Sequence, residues 1–414
     1  MLWIVLIFVI LIVLLQIDDE PEQALTEIID STEIKGSSDA YLYLLAIDSA
    51  QNIKPLARGR QILARQQKAS VLNNSPSSED AQLVLAKNDL FCAYSQDSCL
   101  AYIFNNIDKI PSALQGTEII INRYKKYLSY SDFKTLSEPH LTEVIPPYQF
   151  MIRAARLINL KQLLALSGNE QGDIKSLYEH HEALRKQLSS QDTLIGKMVI
   201  LSFLSENIDF LSLLSVKFNT VLLKPLQGLT KQERSLKSGF NREIKMLSNM
   251  LENLDGSPDI FKQQGVEEVS VPSWVTHILF KKNITLNESY KILDYYAMLS
   301  EMAVAKFETQ MMNSQLQPIT NEHWIRNPIG TILNQIATPD YSSYISHFWD
   351  MDNKIQLFNA GINQTLGSTK VKSIYQLTEK TSAYFRDERN RRCFDSPYQQ
   401  EPKYNCLVVG INRK

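Results

Sequence analysis

The chain has 414 residues, a formal net charge of −2 and a sequence pI of about 6.3. A nearly balanced charge excludes the broad positive field that draws nucleic acid, so no nucleic-acid partner is expected. Its 14 glycines are about half the usual ~7 %, which argues against the glycine-rich turns of nucleotide-binding α/β folds and of most all-β folds, and for helices.

Residues 1–17, MLWIVLIFVILIVLLQI, hold thirteen Leu, Ile or Val and no charge. A helix of that length spans roughly 25 Å, close to the ~30 Å hydrocarbon core of a bilayer. Neither a basic start nor a small-residue cleavage site is present, so the stretch reads as an uncleaved transmembrane signal anchor. The first basic residue is Lys35, and a flank without Lys or Arg offers no barrier to export. The expected location is the bacterial inner membrane, single-pass, with the N-terminus cytoplasmic and the body in the periplasm. A buried core helix is the alternative. Residues 18–39 carry Asp18, Asp19, Glu20, Glu22, Glu27, Asp30 and Glu33 and read as an acidic juxtamembrane linker extended by self-repulsion.

An N-terminal helical subdomain is expected over 40–137. It starts with an apolar helix at 40–47 and an amphipathic one at 56–69, in which Arg58, Arg60, Arg65 and Lys68 face water. The run NNSPSSED at 73–80 marks a loop. A helix over 111–128 contains Glu118–Ile121, whose β-branched run is overruled by the helical period of the residues after it. Three prolines in EPHLTEVIPP, 138–147, break the chain.

A central helical bundle is expected over 147–255, with helices at 148–166, 173–188, 193–223 and 230–254, arranged in part as helical hairpins. The third is dense in Leu, Ile, Val and Phe, but Lys197, Glu206, Asp209 and Lys217 interrupt it, so it reads as a buried central helix and not a second membrane span. Thr230 with Glu233 fits a capping box. A C-terminal helical subdomain over 273–390 follows, with helices at 285–312, 328–337, 341–362 and 370–389. The tail, 391–414, reads as a β-hairpin. It resembles, without their glycine, the DPxxGxPLxY tails of membrane-anchored bacterial envelope proteins of unknown function, which implies a similar β appendix.

The four cysteines fall into two local pairs, Cys92 with Cys99 and Cys393 with Cys406. In an exported chain these predict two disulfides, each contributing about 2–4 kcal/mol. Neither spacing is the CxxC of a redox or zinc site.

Glu179, His180, His181 and Glu182 look metal-like, but Arg185 stands where the second histidine of HExxH belongs, so a solvated helix face is expected and no metal or cofactor. The candidate ligand site lies between 322 and 352, around Trp324, Arg326, Trp349, Asp350 and Asp352, because aromatic residues and Arg concentrate at binding surfaces. Arg386, Arg389, Arg391 and Arg392 read as charges complementing a helix C-terminus. No GxSxG, P-loop or GxGxxG motif occurs.

The expected fold is all-α: a membrane-anchored irregular helical bundle with a small disulfide-stapled β-hairpin at its C-terminus. The expected function is a scaffold, adaptor or assembly factor that binds an envelope protein partner. A hydrolase or other enzyme acting on lipid, glycan or peptide, with its site near 322–352, is the alternative.

Overall fold

The computed structural model describes residues 3, 16–31, 36–71, 82–83, 87–94, 96, 98–141, 143–168, 174–218, 224–254, 278–313, 323–337, 339–362, 373–375, 385–386, 391–394, 396 and 402–409. Short N-terminal helices come first: α1 (Gln23–Ser31), α2 (Asp39–Leu45) and α3 (Pro55–Val71). Ser38 caps α2 by accepting from Tyr41 N, and Ala40 to Leu45 are all buried. Helix α3 packs directly on α2. Gly59 permits this approach, since a Cβ there would sit 1.8 Å from the Leu42 carbonyl oxygen. Arg58, expected to face water, is buried and donates to Gln61 of the same helix at 2.9 Å.

The helix expected over 111–128 is two, α5 (Ile110–Leu114) after α4 (Cys99–Asn105), then α6 (Glu118–Leu128). Gly116 separates them at φ +76°, a left-handed conformation that glycine adopts without a Cβ clash. Three long helices follow, α7 (Tyr148–Ser167), α8 (Ile174–Ser190) and α9 (Leu194–Lys217). Thr193 caps α9 by accepting from Gly196 N. The expected helix 230–254 is split at Ser235 into α10 (Lys231–Arg234), which carries the anticipated Thr230/Glu233 capping box, and α11 (Lys237–Leu254).

Beyond residue 277 come α12 (Lys282–Glu301), α13 (Val304–Asn313), α14 (Pro328–Ala337) and α15 (Ser342–Ile362). The single helix expected over 285–312 thus breaks at Met302, whose φ −65° and ψ 161° are extended. The helix expected over 370–389 lies largely outside the described residues, and its end, Phe385–Arg386, is strand β1. With β2 (Arg391–Cys393) and β3 (Cys406–Val408) it forms an antiparallel sheet in the order β1-β2-β3. A one-turn helix α16 (Pro402–Asn405) leads into β3.

Both expected disulfides are present. Cys92–Cys99 has its Cα atoms 5.7 Å apart, and Cys393–Cys406 joins residues directly opposite one another on β2 and β3. The protein is therefore mostly helical with a small stapled β appendix. The appendix packs on α9 and α15.

Placement in the inner membrane as a single-pass protein is corrected. Among the described residues no helix is long and apolar enough to cross a membrane. The stretch assigned as the anchor lies, apart from Trp3, Gln16 and Ile17, outside the described residues. Helix α9, the other apolar stretch, is a core helix whose buried charges are satisfied internally: Glu206 pairs with Arg156 at 2.7 Å, Asp209 pairs with Lys354 at 2.7 Å, and Lys197 donates to the carbonyls of Gln232 and Glu233, while Lys217 at its C-terminus is exposed. The paired cysteines point to an oxidising compartment.

Candidate functional site

The five residues singled out between 322 and 352 fall into two separate assemblies. The first sits at the start of α12 and α14. Contacts advance together along these helices, Lys281 N to Asn327 Oδ1, Ser289 Oγ to Asn334 Oδ1 and Tyr296 Oη to Asp340 Oδ1. They therefore run side by side in the same direction, with both N-termini at one end. Unbonded N–H groups at a helix start carry partial positive charge. Asn327 satisfies α14 by accepting from Gly330 N. Helix α12 begins after Lys281, which cannot accept a capping bond.

The acidic segment fills that gap. The Asp18 carboxylate accepts from Asn283 N at 2.9 Å and from Ile284 N at 3.1 Å. Arg326 donates to the Ile17 carbonyl at 2.7 Å and to Asp19 Oδ1 at 2.8 Å. Asn283 Nδ2 donates to Asp19 O, and the Asn287 side chain both donates to Glu20 O and accepts from Glu22 N, each at 2.9 Å. Lys291 pairs with Glu22 at 3.1 Å. Residues 16–22 thus lie docked along α12, and Leu25 of α1 is fully buried. The run read as an extended, solvated linker is a strap. Trp324 is 47 % exposed and Ile325 79 % exposed, beside the Arg326 contact.

The second assembly is α15. Trp349, Asp350 and Asp352 are all buried. Asp350 and Asp352 stand about 200° apart around the helix and meet different neighbours. Asp350 accepts from Tyr375 Oη at 3.0 Å and Ser396 Oγ at 3.1 Å. Burial pushes its carboxyl up to about 7, opposed by those two hydroxyls. Asp352 accepts from Leu229 N at 2.6 Å and pairs with Arg234 at 3.3 Å. Burial raises it to about 6, against the Leu229 amide and the Arg234 and Arg185 charges. The Arg234 guanidinium lies 4.2 Å from the Trp349 ring centroid.

One turn beyond Asp350, Lys354 is completely buried. It donates to Asp209 Oδ2 at 2.7 Å, Ser205 Oγ at 2.8 Å and the Lys403 carbonyl at 2.9 Å. Asp209 Oδ1 accepts from Val408 N. Burial lowers the ammonium and raises the carboxyl, each offset by the other's charge. The pair fastens α9, α15 and the β appendix together.

The histidine cluster is not a solvated face. His180 Nε2 is 2.9 Å from Tyr124 Oη, and His181 Nδ1 is 3.0 Å from Asn207 Oδ1, with both imidazoles buried. Burial, reinforced for His180 by the neighbouring His181, drives them down to about 3 and about 4. Arg185 forms a paired contact with Glu233, Nε to Oε1 at 2.7 Å and Nη2 to Oε2 at 2.8 Å. No group of three metal-ligating side chains occurs among the described residues.

These features define the class: a helical protein whose buried charges act as internal staples and whose N-terminal segment is bound as a peptide along one helix. Compared with known protein families, curated proteins and solved structures, the chain shows no match.

Proposed function

We propose that the chain is a helical scaffold or adaptor that binds a protein partner in an oxidising compartment. The observation that supports this reading is the apolar surface at the common end of α12 and α14. Ile17, Ile278, Trp324 and Ile325 are 54, 41, 47 and 79 % exposed. The first two border the strap's entry, where Lys281 donates to both Gln16 Oε1 and Ile278 O. Grouped apolar side chains on a polar rim mark protein interaction sites, and Trp is among the residues that carry most binding energy.

Crosslinking in the producing cells tests this reading. A crosslinked partner that is lost with Trp324→Ser/Ile325→Ser, while the variant unfolds at the same temperature as the parent, supports it. Recovery of the chain alone under every crosslinking condition removes its support. The second reading, a hydrolase acting on lipid, glycan or peptide, draws on Asp350, whose carboxyl titrates near neutrality as a general acid's would. Hydrolysis of an ester, glycoside or peptide substrate that disappears in a folded Asp350→Asn variant selects it instead.

A further inference from the structure

Residues 283, 287 and 291 recur every four positions, so Asn283, Asn287 and Lys291 share one face of α12. Each holds the strap. Four extended residue steps from Asp18 to Glu22 cover about 13 Å, and the eight helical steps from 283 to 291 cover about 12 Å, so the two chains stay in step. Four of the contacts are to the strap's backbone: the carbonyls of Ile17, Asp19 and Glu20 accept, and the amide of Glu22 donates. Asn287 grips this backbone with both ends of its amide and is itself 9 % exposed. Pro21 falls at the one position between the Asn287 contacts where no N–H is used. Side-chain recognition falls on Gln16, which accepts from Lys281, and on three acids: Asp18 at the helix N-terminus, Asp19 on Arg326 and Glu22 on Lys291. This is a peptide-recognition surface. Its backbone clamp tolerates different sequences, and its charges select acids spaced D-D-x-x-E.

We propose that the face of α12 formed by Asn283, Asn287 and Lys291, headed by Arg326, is a binding groove for an extended acidic peptide of a partner protein, and that residues 16–22 occupy it as a built-in competitor. The proposal deepens the adaptor reading and rests on it. A partner that first engages the exposed Trp324 and Ile325 gains the local concentration it needs to displace the strap.

The test uses the full chain and a fluorescein-labelled peptide with the sequence of residues 16–25. Fluorescence anisotropy is followed for the wild type and for Asp18→Ala/Asp19→Ala, in which the chain's own segment is weakened. The weakened chain is expected to bind the peptide about tenfold more tightly than the wild type, as loss of a cap and an ion pair from the competitor implies. Adding Asn287→Ala or Arg326→Ala should remove that binding, and high salt should weaken it. Hydrogen exchange provides a readout that needs no variant: excess peptide should speed exchange at the Glu22 amide of the wild-type chain.

Equal affinity in the two chains, binding that survives Asn287→Ala, or unchanged exchange at Glu22 overturns the proposal. Dimerisation of the weakened chain without peptide binding also overturns it, in favour of arm exchange between copies. A partner crosslinked through Trp324 and Ile325 together with absent peptide binding removes the groove and leaves the adaptor reading standing.

Discussion

Asp18 caps a helix far along the chain: its carboxylate accepts from Asn283 N, 265 residues later, at 2.9 Å. The side chain at the cap position itself, Lys281, carries no acceptor. A distant side chain has replaced a local one, which ties the N-terminal segment to the C-terminal helices by the same chemistry that ends an ordinary turn.

Asp18→Ala therefore removes two amide contacts and is expected to cost about 1 kcal/mol, within the 0.5–2 kcal/mol range of cap losses. Asp18→Asn, which still accepts, should cost less. Lys281→Ser in the Asp18→Ala chain supplies a local cap and should restore part of the loss. Urea midpoints of the four proteins at one pH check the series, and a midpoint unmoved by Asp18→Ala would show that water satisfies these amides equally well.

The Lys354–Asp209 pair yields a sharper contrast. Lys354→Met leaves a buried carboxylate without its cation, and breaking a buried pair in this way costs about 3–5 kcal/mol. Replacing both partners, Lys354→Met/Asp209→Leu, removes the orphan charge and should recover much of that loss, although Val408 N then lacks its acceptor. Chemical denaturation of the two variants distinguishes the outcomes: equal losses would mean that the pair contributes little beyond the bonds each residue makes alone.

Removing the Cys393–Cys406 staple acts on a sheet of three strands, each only two or three residues long. Three such short strands are marginal by themselves. Cys393→Ala/Cys406→Ala opens a loop of 13 residues, for which the chain-entropy estimate is about 3 kcal/mol. Because Lys403 O and Val408 N anchor the sheet to Lys354 and Asp209, the loss should appear first as local opening. Limited trypsin digestion is expected to cut after Arg391 and Arg392 in the variant well before the wild type, with the helical core intact. Simultaneous loss of core and tail would show that the appendix does not open independently.

Helix existence was largely legible from apolar period, and so were the Thr230/Glu233 capping box, both cysteine pairs and the burial of α9. The docking of residues 16–22 was not. Local composition reports that Asp18, Asp19, Glu20 and Glu22 are acidic; it cannot report that the N-terminus of α12 and Arg326 meet them from 265 to 307 positions away. The i, i+4, i+8 spacing of Asn283, Asn287 and Lys291 was the available signal for that groove. Asp350 and Asp352 looked like a pair because they are near in sequence, but a helix turns neighbours two apart to opposite sides. The burial of His181 had a local signature. It lies four residues after Leu177 and three before Leu184, on the stripe that Leu188 completes, and all three leucines are fully buried.

That buried position sets the acid behaviour of the protein. His180 and His181 fall from an unfolded value of 6.5 to about 3 and about 4 in the folded state. A depressed folded pKa means that the unfolded chain binds the proton first, so the stability due to neutral imidazole is complete above about 6.5 and is lost as pH falls towards 3 to 4. Asp350 carries the opposite sign. Raised from 3.8 to about 7, it favours the folded state at low pH, and that contribution disappears as pH rises from about 4 to about 7. Asp352, raised by burial to about 6, has the same sign as Asp350. Below pH 6.5 the two histidines therefore oppose the two aspartates, and each pH step of one costs about 1.4 kcal/mol per fully buried titrating group. His181→Gln, whose side chain can still bond to Asn207, should reduce the acid-side loss between pH 6 and pH 4, while Asp350→Asn should flatten the decline between pH 4 and pH 7 and leave the histidine branch in place. Urea unfolding at half-unit pH intervals separates them. If both variants keep the parental profile, water reaches these groups in the folded state and neither carries the assigned sign.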